Sequence, residues 1–314
     1  MGNLIRKPSE LEAKQTITML VYGQPGVGKT TLAVSSPDAV LFDYDGGVQR
    51  INGAHQTLTV QIRSWEDTAA ALDEISREYP DVRTIVIDTV GKMLDYMGEY
   101  IMRTNGRMKK PDGTLSLQGY GLRKSMFIDF IKKTAVLGKN IVFVAHEKEE
   151  KQGEETVKRP DIGGSSANDL MKELDLVGYM QMLGKERSIA FNPTERYYAK
   201  NTCNLPAVTK LPLVVDEKGM AVGDNNFIKR VLATYRKTQA ATQERTREYD
   251  KLVSNIRTAV DMAKTADDLN AVLGSLDATQ VYNSKMVGEK MVAVAARKLG
   301  LKYNAVEGKY EQNG

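Results

Sequence analysis

Residues 17–30 read Ile17-Thr18-Met19-Leu20-Val21-Tyr22-Gly23-Gln24-Pro25-Gly26-Val27-Gly28-Lys29-Thr30. The run from Ile17 to Tyr22 is mostly apolar, which predicts a buried strand, and the pattern from about Lys29 onward predicts a helix. Between them, Gly23 to Thr30 fits G-x4-G-K-[ST] at every fixed position. Glycines let backbone N–H groups wrap closely around phosphate, and a helix N-terminus adds positive partial charge. Lys29 is then placed to reach the β- and γ-phosphates, and the Thr30 hydroxyl to bind Mg²⁺. The expected nucleotide contacts are Gly23, Gln24, Pro25, Gly26, Val27, Gly28, Lys29, Thr30 and Thr31.

Outward from this loop, strands and amphipathic stretches alternate. Ala39 to Phe42 predicts a second strand, Trp65 to Tyr79 a helix, Thr84 to Ile87 a third strand, 90–104 and 119–137 helices, and Ile141 to Ala145 a fourth strand. The alternation predicts an α/β fold with a mainly parallel sheet covered on both faces. Asp88, at the end of Thr84-Ile85-Val86-Ile87, has the form of a Walker B carboxylate and is the second expected Mg²⁺ ligand beside Thr30. Asp45, in Phe42-Asp43-Tyr44-Asp45-Gly46-Gly47, falls at the same strand-end edge, where it can orient an attacking water or simply turn the chain. His146 ends the fourth strand and is either a γ-phosphate sensor or an ordinary strand-end histidine. Residues 147–164 are polar and predict a long loop; Asp175–Leu183, Ser188–Phe191 and Arg196–Ala199 predict further strands.

From about Asn226 the pattern is helical only, with helices expected at Phe227–Gln243, Leu252–Met262, from Ala266, and at Ser284–Leu299. The expected division is an N-terminal extension over 1–15, an ATPase core over 16–225, a helical region over 226–300 and a frayed tail over 301–314.

The composition fits this division. The chain has 314 residues, 41% hydrophobic and 27% charged, enough apolar content for a sizeable core. No apolar run is long enough to cross a bilayer, and the polar start lacks a signal-peptide pattern. Met1-Gly2 starts like a myristoylation site, but Arg6 stands where that motif needs Ser or Thr. A single cysteine, Cys203, excludes an internal disulfide, and two histidines leave little for a metal cluster. A reducing cytoplasm is the expected setting, without a membrane. The net charge is +4, and residues 227–314 hold 15 Lys and Arg against 10 Asp and Glu. So mild an excess reads as a solvated helical face before a nucleic-acid footprint.

Asp88-Thr89-Val90-Gly91 also matches D-x-x-G, but no N-K-x-D occurs to read guanine, which argues against a GTPase. The mixed charge of 147–164 makes a poor lid for a small-molecule kinase. Together, Gly23 to Thr30, Asp43-Tyr44-Asp45, Ile87-Asp88-Thr89 and His146 resemble the RecA-like ATPase core over about residues 15–215. The set is similar above all to the short phage-encoded RecA-like ATPases that act in single-strand annealing or recombination. The resemblance implies an ATP- and Mg²⁺-dependent ATPase, a homo-oligomer (ring or filament), single-stranded DNA as ligand, and a single-strand DNA-binding protein as a further partner. It assigns water activation to Asp45, with Asp where RecA has Glu, and phosphate sensing to His146. It also implies a basic finger from the neighbouring subunit on a late strand, where Lys200 is the candidate and Arg196 the reserve.

For DNA, residues 101–124 hold Arg103, Arg107, Lys109, Lys110, Arg123 and Lys124 against Asp112 alone, with Tyr120 placed to stack on a base. The segment matches the first DNA loop of the resemblance. A solvated loop is the plainer reading of the same charges. The second loop, 147–160, balances five acidic against four basic residues and does not favour phosphate. Two alternatives remain: a helicase-like or loader ATPase, and a nucleotide-dependent regulatory switch that binds protein partners without DNA.

Overall fold

The computed structural model describes the chain apart from residues 1–3, 164–165, 185, 277–280 and 313–314. The chain divides into two compact units, one of Lys14–Arg236 and one of Met1–Ala13 with Lys237–Gly314. In chain order the elements of the larger unit are β1 (Thr18–Gly23), α1 (Lys29–Ala33), β2 (Ala39–Asp43), β3 (Leu58–Gln61), α2 (Trp65–Glu78), β4 (Thr84–Asp88), α3 (Val90–Thr104), α4 (Leu117–Val136), β5 (Asn140–Gln152), β6 (Glu155–Pro160), α5 (Ser166–Glu173), β7 (Leu176–Leu183), β8 (Glu186–Ala190) and β9 (Val208–Lys210).

Among the described residues they form a nine-stranded sheet in the order β3-β2-β4-β5-β1-β7-β8-β9, with β6 paired to β5. The strands from β3 to β7 run parallel, and β8, β9 and β6 add antiparallel edges. Every residue of β1 is buried, as expected for a central strand covered on both faces. Alternate residues serve the two faces. Leu20, Tyr22, Phe42, Ile85, Ile87 and Phe143 pack with Leu94, Phe127 and Phe130 of α3 and α4. Met19, Val21, Leu41, Val86 and Val142 pack with Val27, Leu32, Phe227, Ile228 and Leu232. Each such fully buried side chain contributes about 1.5–3 kcal/mol of transfer free energy, which makes these two layers the rigid base of the strand-end edge.

The parallel register sets that edge. Gly23 pairs with His146 on one side of β1 and with Met180 on the other. Asp43 pairs with Asp88, and Asp88 with Val144, two residues before His146. The loop, the carboxylates and the histidine therefore leave the sheet at one level.

Several expectations need correction. Residues 147–164 are mostly a hairpin: β5 runs on to Gln152 and β6 returns from Glu155. Its alternating charges pair along and across the strands, Lys158 with Glu147 and Glu149, Lys148 with Glu150 and Arg159 with Glu150, so no apolar period is needed to hold it. Gly164, the end of the expected loop, lies outside the described residues. Arg196–Ala199 forms no strand; Tyr197 and Lys200 make isolated bridges to Lys158 and Val177. The helix expected from about Lys29 does start there and runs to Ala33. A single helix, α6 (Phe227–Met262), replaces the two expected over 227–262. Its polar middle is rich in helix formers, and Glu244 and Arg247 pair one turn apart at 3.7 Å. The units divide between Arg236 and Lys237, because Phe227, Ile228, Val231, Leu232 and Tyr235 are buried in the core of the larger unit.

The smaller unit contains α7 (Ala266–Ser275), α8 (Ser284–Lys298), β10 (Leu301–Asn304) and β11 (Lys309–Gln312), with Ile256, Val260, Leu269, Leu276, Val292 and Ala296 at its centre. The tail expected to fray over 301–314 is thus a hairpin through Gln312. Tyr303 faces Tyr310 across it with ring centroids 5.0 Å apart, and the Asn270 amide bonds both the N–H and the C=O of Tyr310.

Candidate functional site

The phosphate loop starts where β1 leaves the sheet. A Cβ on Gly23 would sit 2.2 Å from the Met180 carbonyl oxygen, so this position admits only glycine. Gly26 and Gly28 take φ of 78° and 96°, the left-handed region that glycine enters without penalty. Val27 is buried against Leu32 and Met180 and anchors the middle of the loop, while Gln24, Pro25 and Gly26 are exposed.

Lys29 is buried, and its Nζ donates to the carbonyls of Gly23 at 3.0 Å and Gln24 at 2.7 Å. Burial pushes the ammonium pKa down, while the charges of Asp88 and Glu147 push it back up. The Thr30 hydroxyl donates to Asp88 Oδ2 at 2.7 Å. Asp88 is 6% exposed, and burial raises its carboxyl pKa; the Thr30 hydrogen bond opposes this, Asp45 and Asp43 add to it, and Lys29 lowers it. The peptide between Asp88 and Thr89 is cis.

The two carboxylates after β2 divide their work. Asp43 is buried and accepts the N–H groups of Gly47 at 2.9 Å and Val48 at 3.0 Å, so it closes the turn. Tyr44 points back into the core and bonds Thr68 at 2.7 Å. Asp45 turns the other way, and its Oδ2 lies 4.0 Å from His146 Nε2. His146 Nδ1 is buried without a hydrogen-bond partner among the described residues. Sequence reading missed Glu147. Its carboxylate is nearly buried and accepts from Lys158 at 3.1 Å and from the Tyr179 hydroxyl at 3.0 Å. Only the burial at the foot of the β5–β6 hairpin distinguishes it from the solvated glutamates that follow.

Donor chemistry fits a nucleoside triphosphate with Mg²⁺. A buried ammonium bonds only to carbonyls that phosphate oxygens can replace. A threonine hydroxyl and a carboxylate stand together as hard oxygen donors. The carboxylates at 43, 45 and 88 crowd negative charge where a divalent cation would relieve it.

Other expected residues lie elsewhere. Lys200 does not reach the loop edge: its backbone pairs with Val177, level with Leu20, and its Nζ donates to the carbonyls of Leu174 and Met171. Its charge is spent on the turn after α5. Arg196 is exposed. In the expected DNA segment, Arg103 pairs with Glu66 in the first turn of α2, and Tyr120 lies under the Arg123 guanidinium at 4.7 Å. Arg107, Lys109 and Lys110 are exposed, Arg107 on the short helical turn Gly106–Met108 and the two lysines at the start of the turn closed by the Lys109–Leu115 bridge.

The strand-loop-helix, the Thr30–Asp88 pair and the aligned strand ends define a P-loop nucleoside triphosphatase. A family model described as an AAA domain, AAA_24, matches residues 15–203, and the chain belongs to that family of P-loop ATPases. A search of the curated proteins finds none that matches. Among the described residues no helix is long and apolar enough to cross a membrane.

Proposed function

We propose that the protein is an Mg²⁺-dependent ATPase of RecA-like organisation that assembles into oligomers and acts on single-stranded DNA in recombination, annealing or replication, in a phage setting. The observation that carries the ATPase part is the convergence of Lys29, Thr30, Asp88, Asp45 and His146 on one sheet edge, delivered there by the parallel register. Mg²⁺, when bound, supplies charge neutralisation at the β- and γ-phosphates. Lys29 holds phosphate, Thr30 and Asp88 hold the metal, and Asp45 orients water with His146 beside it. His146 leads directly into the β5–β6 hairpin, so a γ-phosphate contact at His146 would bear on that surface element. Arg196, not Lys200, is the candidate for a finger supplied to a neighbouring subunit.

The DNA part rests on Arg107, Lys109 and Lys110, which stay exposed. A second reading, a switch that binds protein partners, is favoured by one observation: Arg103 and Tyr120 already have partners within the chain. Filter binding of labelled single-stranded DNA to the full chain, with and without ATP, separates them. ATP-dependent retention supports the DNA reading. No retention at low salt, with ATP bound, favours the switch.

A further inference from the structure

β8 carries a cation to the phosphate loop from the side opposite the carboxylates. Met180 is level with Gly23, and Arg187 pairs with Met182, two residues further along β7. At about 3.3 Å per residue, that register lifts Arg187 past the sheet edge to the height of the loop. Two residues on, Ile189 is fully buried with Val27 and Leu32, so alternation puts Arg187 on the face that carries the loop. Its Nη1 lies 3.2 Å, and its Cζ 3.6 Å, from the position a Gly28 Cβ would take.

The guanidinium is half-buried, and no hydrogen bond or ion pair of its side chain is found among the described residues. The adjacent Glu186 is bonded to Lys210 instead. A cation held against a loop built for phosphate, in ion-pair contact with no carboxylate among the described residues, is arranged for an anion.

We propose that Arg187 is a nucleotide-binding residue acting within its own subunit, on the α- and β-phosphates. This rests on the nucleotide reading of the same loop. The choice of phosphates follows from the strand order. Asp88, Asp45 and His146 come from β4, β2 and β5 on one side of β1, and they mark the Mg²⁺ and γ-phosphate end. β8 lies on the other side, so Arg187 addresses the end of the polyphosphate that ADP and ATP share. It differs in this from a finger supplied by a neighbour, which acts on the γ-phosphate.

The test is calorimetric titration of the full chain with ADP and with ATP. Arg187→Ala should weaken both by a similar factor, roughly ten- to a hundredfold, as a lost charge-assisted hydrogen bond does. Arg187→Lys should recover part of the loss, because an ammonium lacks the planar fork. Lys210→Ala, on the next strand, should match the parent. Arg187→Gln drops the charge but keeps a polar stem, and carries the same expectation if the alanine protein does not fold. ADP affinity within twofold of the parent in folded Arg187→Ala or Arg187→Gln protein would overturn the proposal, as would loss of ATP with ADP retained. A parent protein with no ADP affinity at all would instead bring down the nucleotide reading, and this inference with it.

Discussion

Asp88→Asn should stabilise the nucleotide-free protein while removing its Mg²⁺-dependent nucleotide affinity. The asparagine carbonyl can still accept the Thr30 hydroxyl proton, so the 2.7 Å hydrogen bond and the packing survive. What disappears is a carboxylate that burial and its neighbours at 45 and 43 disfavour as an anion. A poorly compensated buried polar group costs about 1–3 kcal/mol. Taking the low end, because Thr30 and Lys29 compensate in part, the gain is about 1 kcal/mol. For a unit of 150–250 residues that corresponds to a rise in Tm of roughly 2–4 °C. The sign with pH follows from linkage. The folded carboxyl pKa lies above its unfolded value, so the parent loses stability as pH rises through the interval above the ordinary 3.8. The asparagine variant does not titrate there. Its advantage should therefore be full at pH 7–8 and shrink as the pH falls toward the ordinary carboxylate range. Thermal melts of both proteins across that range, without nucleotide, provide the assay. A variant that melts below the parent at pH 7.5, or a difference that does not change with pH, would refute the reasoning.

Asp45→Asn should leave ADP and ATP affinity near the parent's and reduce turnover, since orienting water matters only on the way to the transition state; equal loss of affinity, read by calorimetry, would remove it from that role. Changing Arg107, Lys109 and Lys110 together to Ala should weaken single-stranded DNA binding for all sequences alike. The slope of log affinity against log salt should become shallower by about 0.7 per lost phosphate contact, while ATP turnover without DNA stays near normal. Arg103→Ala should add little to this, because its charge is already paired with Glu66.

The sequence shows the phosphate loop, the Walker B strand and the parallel core because each is a local signal. Glycines at fixed spacing and β-branched runs ending in Asp declare themselves without knowledge of the rest of the chain. The β5–β6 hairpin does not, because its strands are held by cross-strand charge pairs, as between Lys158 and Glu149, and not by apolar alternation. The Leu301–Gln312 hairpin is invisible for a related reason: the Asn270 bonds that fasten it come from α7, far away in sequence. The site divides in the same way. Lys29, Thr30 and Asp88 are legible from motif and spacing. The roles of Asp43 and Asp45 separate only once the turn shows which carboxylate faces inward. Arg187 carries no motif at all; its place beside Gly28 exists only through the register of β7 on β1 and β8 on β7. Lys200 shows the converse: a basic residue in the expected stretch of sequence whose side chain caps carbonyls near the far edge of the sheet.

ATP binding and turnover by the full chain in Mg²⁺, set against the same measurements in EDTA and with Lys29→Ala, test whether this strand-end edge is an ATPase centre. Lys29 belongs to no apolar core cluster, and among the described residues its Nζ bonds the carbonyls of Gly23 and Gln24, so the variant should keep the parent's circular dichroism. The parent should bind ATP and release phosphate in Mg²⁺, lose turnover in EDTA, and lose both binding and turnover when Lys29 is replaced. Unchanged ATP affinity and turnover in folded Lys29→Ala protein would contradict the assignment of the phosphate loop and everything built on it.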